Sequence, residues 1–261
     1  GDKENAEVFL LTRSQFTGFQ GAPSLNVLIA DGKLADNKSY IGVFIADNRK
    51  GISNNLNAMA NYAYRANFTD EKDIYIKFGI ALGVFDQNIA FNKLVVQNYS
   101  DPTLFTTSQR RTTVDANAGL MFFAKGFSLG FSVPQLIGDH LNYEDNTNIR
   151  SYYQMSRHYA TSLKYEIPIN KEKQVYLTPN AILRSVNGAP MQYDAGMYLD
   201  WKEKFWIGGT YRSDYAVGIN LGFTLNRRFS IGYSYDYMIG GIAKYAGIAH
   251  EFMFALKLGK L

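Results

Sequence analysis

Cysteine is absent from the 261 residues, charged residues make up only 19% of them, and the mean hydropathy is slightly negative at −0.20. Without thiols the chain can form neither a disulfide nor a thiolate metal site. Long apolar runs are missing as well: Gly, Ser, Asn, Asp or Lys interrupts each one within a few residues. Nothing approaches the roughly 18 apolar residues that a membrane-spanning helix requires, so a helical membrane protein is excluded. A one-sign charge stripe is lacking too. The 27 basic and 23 acidic residues, net +4, are spread along the chain. The pairs Arg110-Arg111 and Arg227-Arg228 are too short to track a phosphate backbone, so nucleic acid is not an expected partner. No Pro/Gly/Ser linker and no shift of composition divides the chain, and residues 1–261 are expected to form a single domain. It opens Gly1-Asp2-Lys3 with no charged-then-apolar leader, so a signal peptide, if there was one, is expected to have been removed.

Catalytic and cofactor motifs are scarce. The three histidines, His140, His158 and His250, show no HExxH or His-x-His spacing, and no metal site is expected. No glycine pattern opens a phosphate-binding helix, so no nucleotide or other cofactor is expected. Ser156-Arg157-His158 and His250-Glu251 supply nucleophile and base types. Two adjacent residue types do not make a triad, and a lipid-modifying enzyme would need a convergent Ser-His-acid site.

What the chain has in quantity is aromatic residues, 19 Tyr and 18 Phe, together with 23 Gly, arranged with a period of two. From Tyr215 to Leu225, Tyr215, Val217, Ile219, Leu221, Phe223 and Leu225 alternate with Ala216, Gly218, Asn220, Gly222 and Thr224. That is strand alternation. It recurs at 229–237, at 74–84, at 127–133 and at 251–258. A soluble sandwich would carry Lys, Glu and Thr on the solvent face. Here the second face is Gly, Ser, Ala and Asn. A barrel closed in lipid accounts for this, because its outside needs bulky apolar groups and its crowded inside takes small polar ones. The fold class expected is therefore all-β, a transmembrane antiparallel up-and-down barrel of about fourteen strands. Strands are expected near 7–17, 23–32, 39–48, 53–67, 72–86, 111–125, 127–135, 156–169, 174–187, 190–201, 205–213, 215–226, 228–238 and 249–260.

Connection lengths support the count, since such barrels have short periplasmic turns and longer external loops. The stretches 87–110, 136–155 and 239–248 are read as external loops, while the tight links at Gly188-Ala189 and Asp214 run against the rule. Trp201, Trp206, Tyr211, Tyr233, Tyr235 and Tyr237 are expected at the membrane boundary. Asn220 is expected on the lumen side, where an arginine would cost much less than at Ile219 on the lipid face. Arg65, Asp115, Lys164, Glu166, Asp194, Arg212, Asp236 and Glu251 fall on or beside the inner face. They would either line a solute path or brace the lumen as a polar network, and their mixed sign favours the network.

Several segments in order also resemble a known family: Arg13-Ser14-Gln15-Phe16, Gly21-Ala22-Pro23-Ser24, Ile45-Ala46-Asp47 with Gly51, Tyr62-Ala63-Tyr64-Arg65 and Arg157-His158-Tyr159. Further on come Gly188-Ala189-Pro190-Met191-Gln192-Tyr193-Asp194, Phe205-Trp206-Ile207-Gly208 and Tyr211-Arg212-Ser213. The most specific stretch is Ile231-Gly232-Tyr233-Ser234-Tyr235-Asp236-Tyr237, followed by His250-Glu251. Together they resemble the PorP/SprF outer-membrane proteins of Bacteroidetes type IX secretion and gliding motility. Two features depart from that family: an Asn-Pro-Ala-type segment is missing before the first strand, and the chain ends Lys260-Leu261 rather than on an aromatic residue.

The resemblance implies a non-enzymatic barrel, integral to the outer membrane of a Gram-negative, Bacteroidetes-type bacterium. It further implies a large secreted adhesin as partner, bound, exported or anchored through its C-terminal sorting domain. Periplasmic lipoproteins of the motor and ring are the alternative partners. Contacts to the adhesin are expected in the outer loops, at Asn98, Tyr99, Pro102 and Phe105 and at Tyr143, Tyr152 and Tyr153. A small-solute porin is the competing expectation.

Overall fold

The protein's architecture comes from a computed structural model that describes residues 6–17, 21–68, 74–93, 108–138, 140–144, 150–244 and 247–259. The strands are β1 (Ala6–Gln15), β2 (Ser24–Lys33), β3 (Ser39–Lys50), β4 (Ser53–Asn67), β5 (Ile74–Ile89), β6 (Gln109–Ala124), β7 (Phe127–Val133), β8 (His140–Glu144) and β9 (Arg150–Gln154). They continue as β10 (His158–Tyr165), β11 (Ile167–Asn170), β12 (Val175–Val186), β13 (Gln192–Trp201), β14 (Phe205–Arg212), β15 (Ala216–Leu225), β16 (Phe229–Met238) and β17 (Ile248–Leu258). Each large-sheet strand pairs antiparallel with its neighbours; β1 pairs with β17, and β10 pairs with both β7 and β12, so the sheet closes. The result is a closed antiparallel barrel of 14 staves, because β10 and β11 are successive parts of one stave.

The interruption between β10 and β11 falls at Glu166 and has a cause on the adjacent strand. The register from Lys164↔Asn180 to Ile167↔Leu177 is continuous and would set Tyr165 opposite Pro179. Proline has no N–H to give the ladder. Glu166 faces the other neighbour, its amide donating to Gly126 O at 2.9 Å in continuation of the β7 register.

Register assigns every side chain to a face. On β15, Val217, Ile219, Leu221, Phe223 and Leu225 are each at least 40% exposed, while Ala216, Gly218, Asn220 and Gly222 point inward and are buried. Leu10, Ile41, Val43, Phe78, Ile80, Leu82, Phe131 and Phe252 continue the apolar outer band around the barrel. In water such a belt would be untenable; in a bilayer it is the surface that removes the barrel from water.

The structure revises four expectations. Trp206 points into the lumen rather than to the membrane boundary, because it pairs with Gly222 on the inner face of β15. Trp201, Tyr211, Tyr233, Tyr235 and Tyr237 do face outward. Tyr215 leaves the outer row at the turn before β15 and packs against the buried inner residues Ala216, Met238 and Ala249. Asn220 is 5% exposed and donates to Thr210 Oγ1 at 3.3 Å, so it is a packed position. The fourth concerns 136–155: instead of a loop this stretch contains the β8–β9 hairpin, paired as a separate two-stranded sheet. The hairpin leans on the inner face of β5, where Leu141 and Met155 form a buried cluster with Phe85, Ile89 and Phe91.

Both described ends of the chain, at β1 and β17, lie with the turns 34–38, 125–126, 171–174, 202–204 and 226–228. Lys125 and Gly126 form a two-residue hairpin loop with φ of 46° and 88°, the left-handed pair such turns require. Longer connections gather at the opposite end, called here the loop end, which by the turn-length rule faces out of the cell.

The face assignment makes a direct prediction. Ile219→Arg, in the middle of the lipid-facing row of β15, is expected to cost about 2–4 kcal/mol in lipid vesicles, whereas an arginine on the lumen side at Ala160 costs about 1 kcal/mol or less. Urea unfolding in vesicles measures both, and equal costs contradict the register.

Candidate functional site: the filled half-lumen and the loop end

The lumen is packed on one side and open on the other. On the packed side, small inner residues make room for large ones. A Cβ at Gly222 or Gly232 would overlap the Trp206 indole, and one at Gly208 would overlap the Tyr198 ring. Trp206 and Tyr198 meet edge to face, ring centroids 5.9 Å apart. Glycines in the middle of strands here serve close approach rather than turning.

Above this pair, toward the loop end, lies a buried ion cluster. Arg13 on β1 is 7% exposed and donates to Asp236 Oδ2 at 2.6 Å and to Glu251 Oε2 at 3.1 Å. Arg212 adds a second cation to Asp236 Oδ2 at 3.3 Å, and Asp236 is 1% exposed. Four charged groups from β1, β14, β16 and β17 thus tie the two ends of the chain and the barrel seam together. Ala216, Met238 and Ala249, with Phe16 and Tyr215 packed on them, form a buried apolar cluster at the same end of the barrel. Such a cluster is held by pairing, since leaving one of its charges unpartnered at that depth is costly.

Next to it a loop-end vestibule of about 590 Å³ is lined by Arg13, Lys50, Arg184, Asp194, Arg212 and Glu251, among others. Arg184 pairs with Asp194 at 2.8 Å in this partly exposed space. Across the lumen, a cavity of about 660 Å³ has a mainly apolar lining that includes Ile29, Phe44, Met121 and Ile182, with Asn61, Lys77, Ser162 and Arg184 adding polar groups.

Of the eight polar residues expected on the inner face, Arg212, Asp236 and Glu251 come together in the ion cluster, and Asp194 lies beside it. The other four sit elsewhere. Asp115, 2% exposed, accepts from Ile137 N at 3.3 Å near the loop end. Arg65 lies toward the opposite end, its guanidinium 3.7 Å over Tyr75 and its Nε donating to Asn67 Oδ1 at 2.8 Å. Lys164 and Glu166 approach to only 4.0 Å at a half-exposed site. Arg13, which joins the cluster, was not singled out as an inner polar residue. Its signal lay in parity: it shares the inner face of β1 with Phe9 and Leu11, opposite Glu251 on β17.

Of the loop candidates, Asn98, Tyr99, Pro102 and Phe105 lie outside the described residues. Tyr143, Tyr152 and Tyr153 belong to the β8–β9 hairpin, where Tyr143 pairs with Ser151, Tyr152 with Asn142 and Tyr153 with Leu141. His250 faces outward, its Nδ1 2.6 Å from the Tyr233 hydroxyl. Among the described residues no three His, Cys, Asp or Glu side chains converge as metal ligands would.

A closed antiparallel barrel with an apolar outer belt and a polar interior defines an integral outer-membrane protein. Comparison with solved structures agrees on the fold. The CymD monoaromatic hydrocarbon channel superposes with a TM-score of 0.59 at 8% identity, over 99% of this chain and 90% of that one. The outer membrane protein Omp33 of Acinetobacter baumannii does so with a TM-score of 0.53 at 9% identity, over 98% of each chain. Residues 1–256 match the model of the type IX secretion system membrane protein family PorP/SprF, and the chain belongs to that family. No curated protein matches it.

The site yields two predictions. Asp236→Ala leaves buried Arg13 with Glu251 alone and takes the Asp236 carboxylate from Arg212, and is expected to cost about 3 kcal/mol, while Arg13→Met combined with Asp236→Leu costs clearly less than the sum of the two changes made singly. Urea midpoints followed by tryptophan fluorescence report both, and simple additivity speaks against a coupled cluster. Gly232→Ala, whose added methyl would meet the Trp206 indole and the flexible end of Met253, is expected to lose about 1–3 kcal/mol, most of it recovered when Trp206→Leu is added. An unrescued loss would locate the strain elsewhere.

Proposed function

We propose that the barrel works without catalysis as a receptor in type IX secretion, receiving or anchoring a large secreted adhesin by its C-terminal sorting domain at the loop end. The observation that carries this reading is the lumen's obstruction. One side is filled by Trp206, Tyr198 and the Arg13–Asp236–Arg212–Glu251 cluster, and the β8–β9 hairpin overhangs the inner face on the other. A barrel filled in this way is a rigid mount for its outer surfaces more than a conduit, and membership of a secretion-system family supports a protein partner. In a gliding organism the same mount would hold a motility adhesin at the surface.

A second reading, a small-solute porin, draws on the cavity of about 660 Å³ on the open side of the lumen. Purification of the native protein in mild detergent, with mass spectrometry of what accompanies it, separates the readings. The receptor reading expects a large secreted chain with a C-terminal sorting domain. Periplasmic lipoproteins alone would move the role to the ring and motor, and a solitary barrel would favour the porin.

A further inference from the structure

The chain's net charge is concentrated in one place. Three turns at the periplasmic end, residues 171–174, 202–204 and 226–228, carry six basic side chains and two acidic ones, an excess of four that equals the net +4 of all 261 residues. The basic residues are Lys171, Lys173, Lys202, Lys204, Arg227 and Arg228. The turns are neighbours in space: Lys202 N donates to Gln174 O at 2.8 Å, and Thr224 N, on the strand that enters the third turn, donates to Lys204 O at 2.7 Å. Cations of two turns share one polar basin of about 700 Å³, lined by Lys202, Lys204 and Arg227 and by a single acid, Glu203, among others. All six basic residues are exposed, and among the described residues none of them is paired with a carboxylate. The described turns across the barrel differ, since 34–38 sets Asp36 against Lys38 and 125–126 has only Lys125.

Next to these turns the outer wall changes chemistry. Trp201 and Phe205 flank the second turn and pair with each other, and Leu225 and Phe229 do the same at the third. All four face outward and are exposed, Trp201 to 55%. They end the lipid-facing rows of β13 to β16, which sets the cations just beyond the hydrocarbon, at the level of the lipid headgroups. Lys202 Nζ lies 5.8 Å from the Trp201 ring centroid, so charge and apolar shelf meet at one corner. Basic side chains that close to a bilayer surface attract anionic lipid, and each added one multiplies the preference.

We infer that the three basic turns, with the shelf of Trp201, Phe205, Leu225 and Phe229, form a binding site for an anionic phospholipid of the periplasmic leaflet. The phosphate lies among the basic side chains and the acyl chains run along the shelf. A soluble anion would meet the cations alone, whereas a phospholipid meets cations and shelf together. Four of the six cations are lysines, whose flexible stems let the ammonium groups reach a phosphate from several directions. The site gives the barrel one lipid-held side, from β12 to β16, and it is independent of what the loop end receives.

The chain has two tryptophans, Trp201 on the shelf and Trp206 in the lumen, so a lipid that quenches fluorescence reports on this corner. The whole barrel is folded into phosphatidylcholine vesicles that contain a minority of phosphatidylglycerol, with bromine on the acyl chains of the phosphatidylglycerol or of an equal amount of the phosphatidylcholine. At equal bromine content the anionic lipid is expected to quench at least about two-fold more, and Lys202→Gln with Lys204→Gln and Arg227→Gln should bring the two lipids to parity. Lys38→Gln with Lys125→Gln, across the barrel, should leave the difference intact. Heat-modifiable gel mobility checks that the triple variant is folded, and if it is not, the wild-type comparison decides. Equal quenching by the two lipids in the wild type, or a difference that survives the three substitutions, would overturn the site. So would a difference erased by sodium phosphate but not by sodium chloride of equal ionic strength, which would give the cations to free phosphate. Equal quenching together with an acidic periplasmic protein that co-purifies only with the wild type would mark a protein surface as the occupant instead.

Discussion

Everything in this molecule follows from the requirement that backbone amides find partners where lipid offers none. The sheet meets it by closing, β1 onto β17 and β10 onto both β7 and β12. Closure sets the two-residue period, and the period divides the composition into a bulky outer belt and a small, polar interior. Even the local exception obeys the rule: Pro179 has no amide to offer, the stave breaks opposite it, and the bonding on its other side holds through Glu166 N to Gly126 O.

Fourteen staves enclose more space than small residues can fill, and the protein fills it unevenly. On one side Trp206 and Tyr198 lie over glycine floors beneath a four-membered ion cluster. A buried cluster of this kind adds little net stability compared with apolar packing but is severe about geometry, since each partner removed leaves a charge behind. Its position explains its use: Arg13 on β1 grips Asp236 and Glu251 on β16 and β17, so the first strand is locked to the last two at the seam where the barrel closes.

Much of the architecture was legible in the sequence because the period of two is read without knowing which strand meets which. The row from Val217 to Leu225 declared its outer face, and the fourteen staves follow from such rows. What was not legible depends on strand-to-strand registration. Trp206 has the residue type of a boundary aromatic; only its pairing with Gly222 turns it inward. Arg13 became part of a cluster only when β1 met β17. The β8–β9 hairpin was hidden because its strands are five residues each and lie within a stretch otherwise rich in polar residues. Family membership, by contrast, was carried by short motifs such as Tyr233-Ser234-Tyr235-Asp236-Tyr237. The structure gives one of them a physical role by burying Asp236 between two arginines.

The resulting picture is of a barrel whose interior is committed to rigidity and whose overhanging hairpin is at the loop end. That division suits a protein that holds another protein better than one that passes solutes. Single-channel recording of the purified barrel in a planar bilayer tests it most directly. The account predicts a quiet membrane with no sustained conductance, whereas steady, ohmic channels that carry small ions would contradict it.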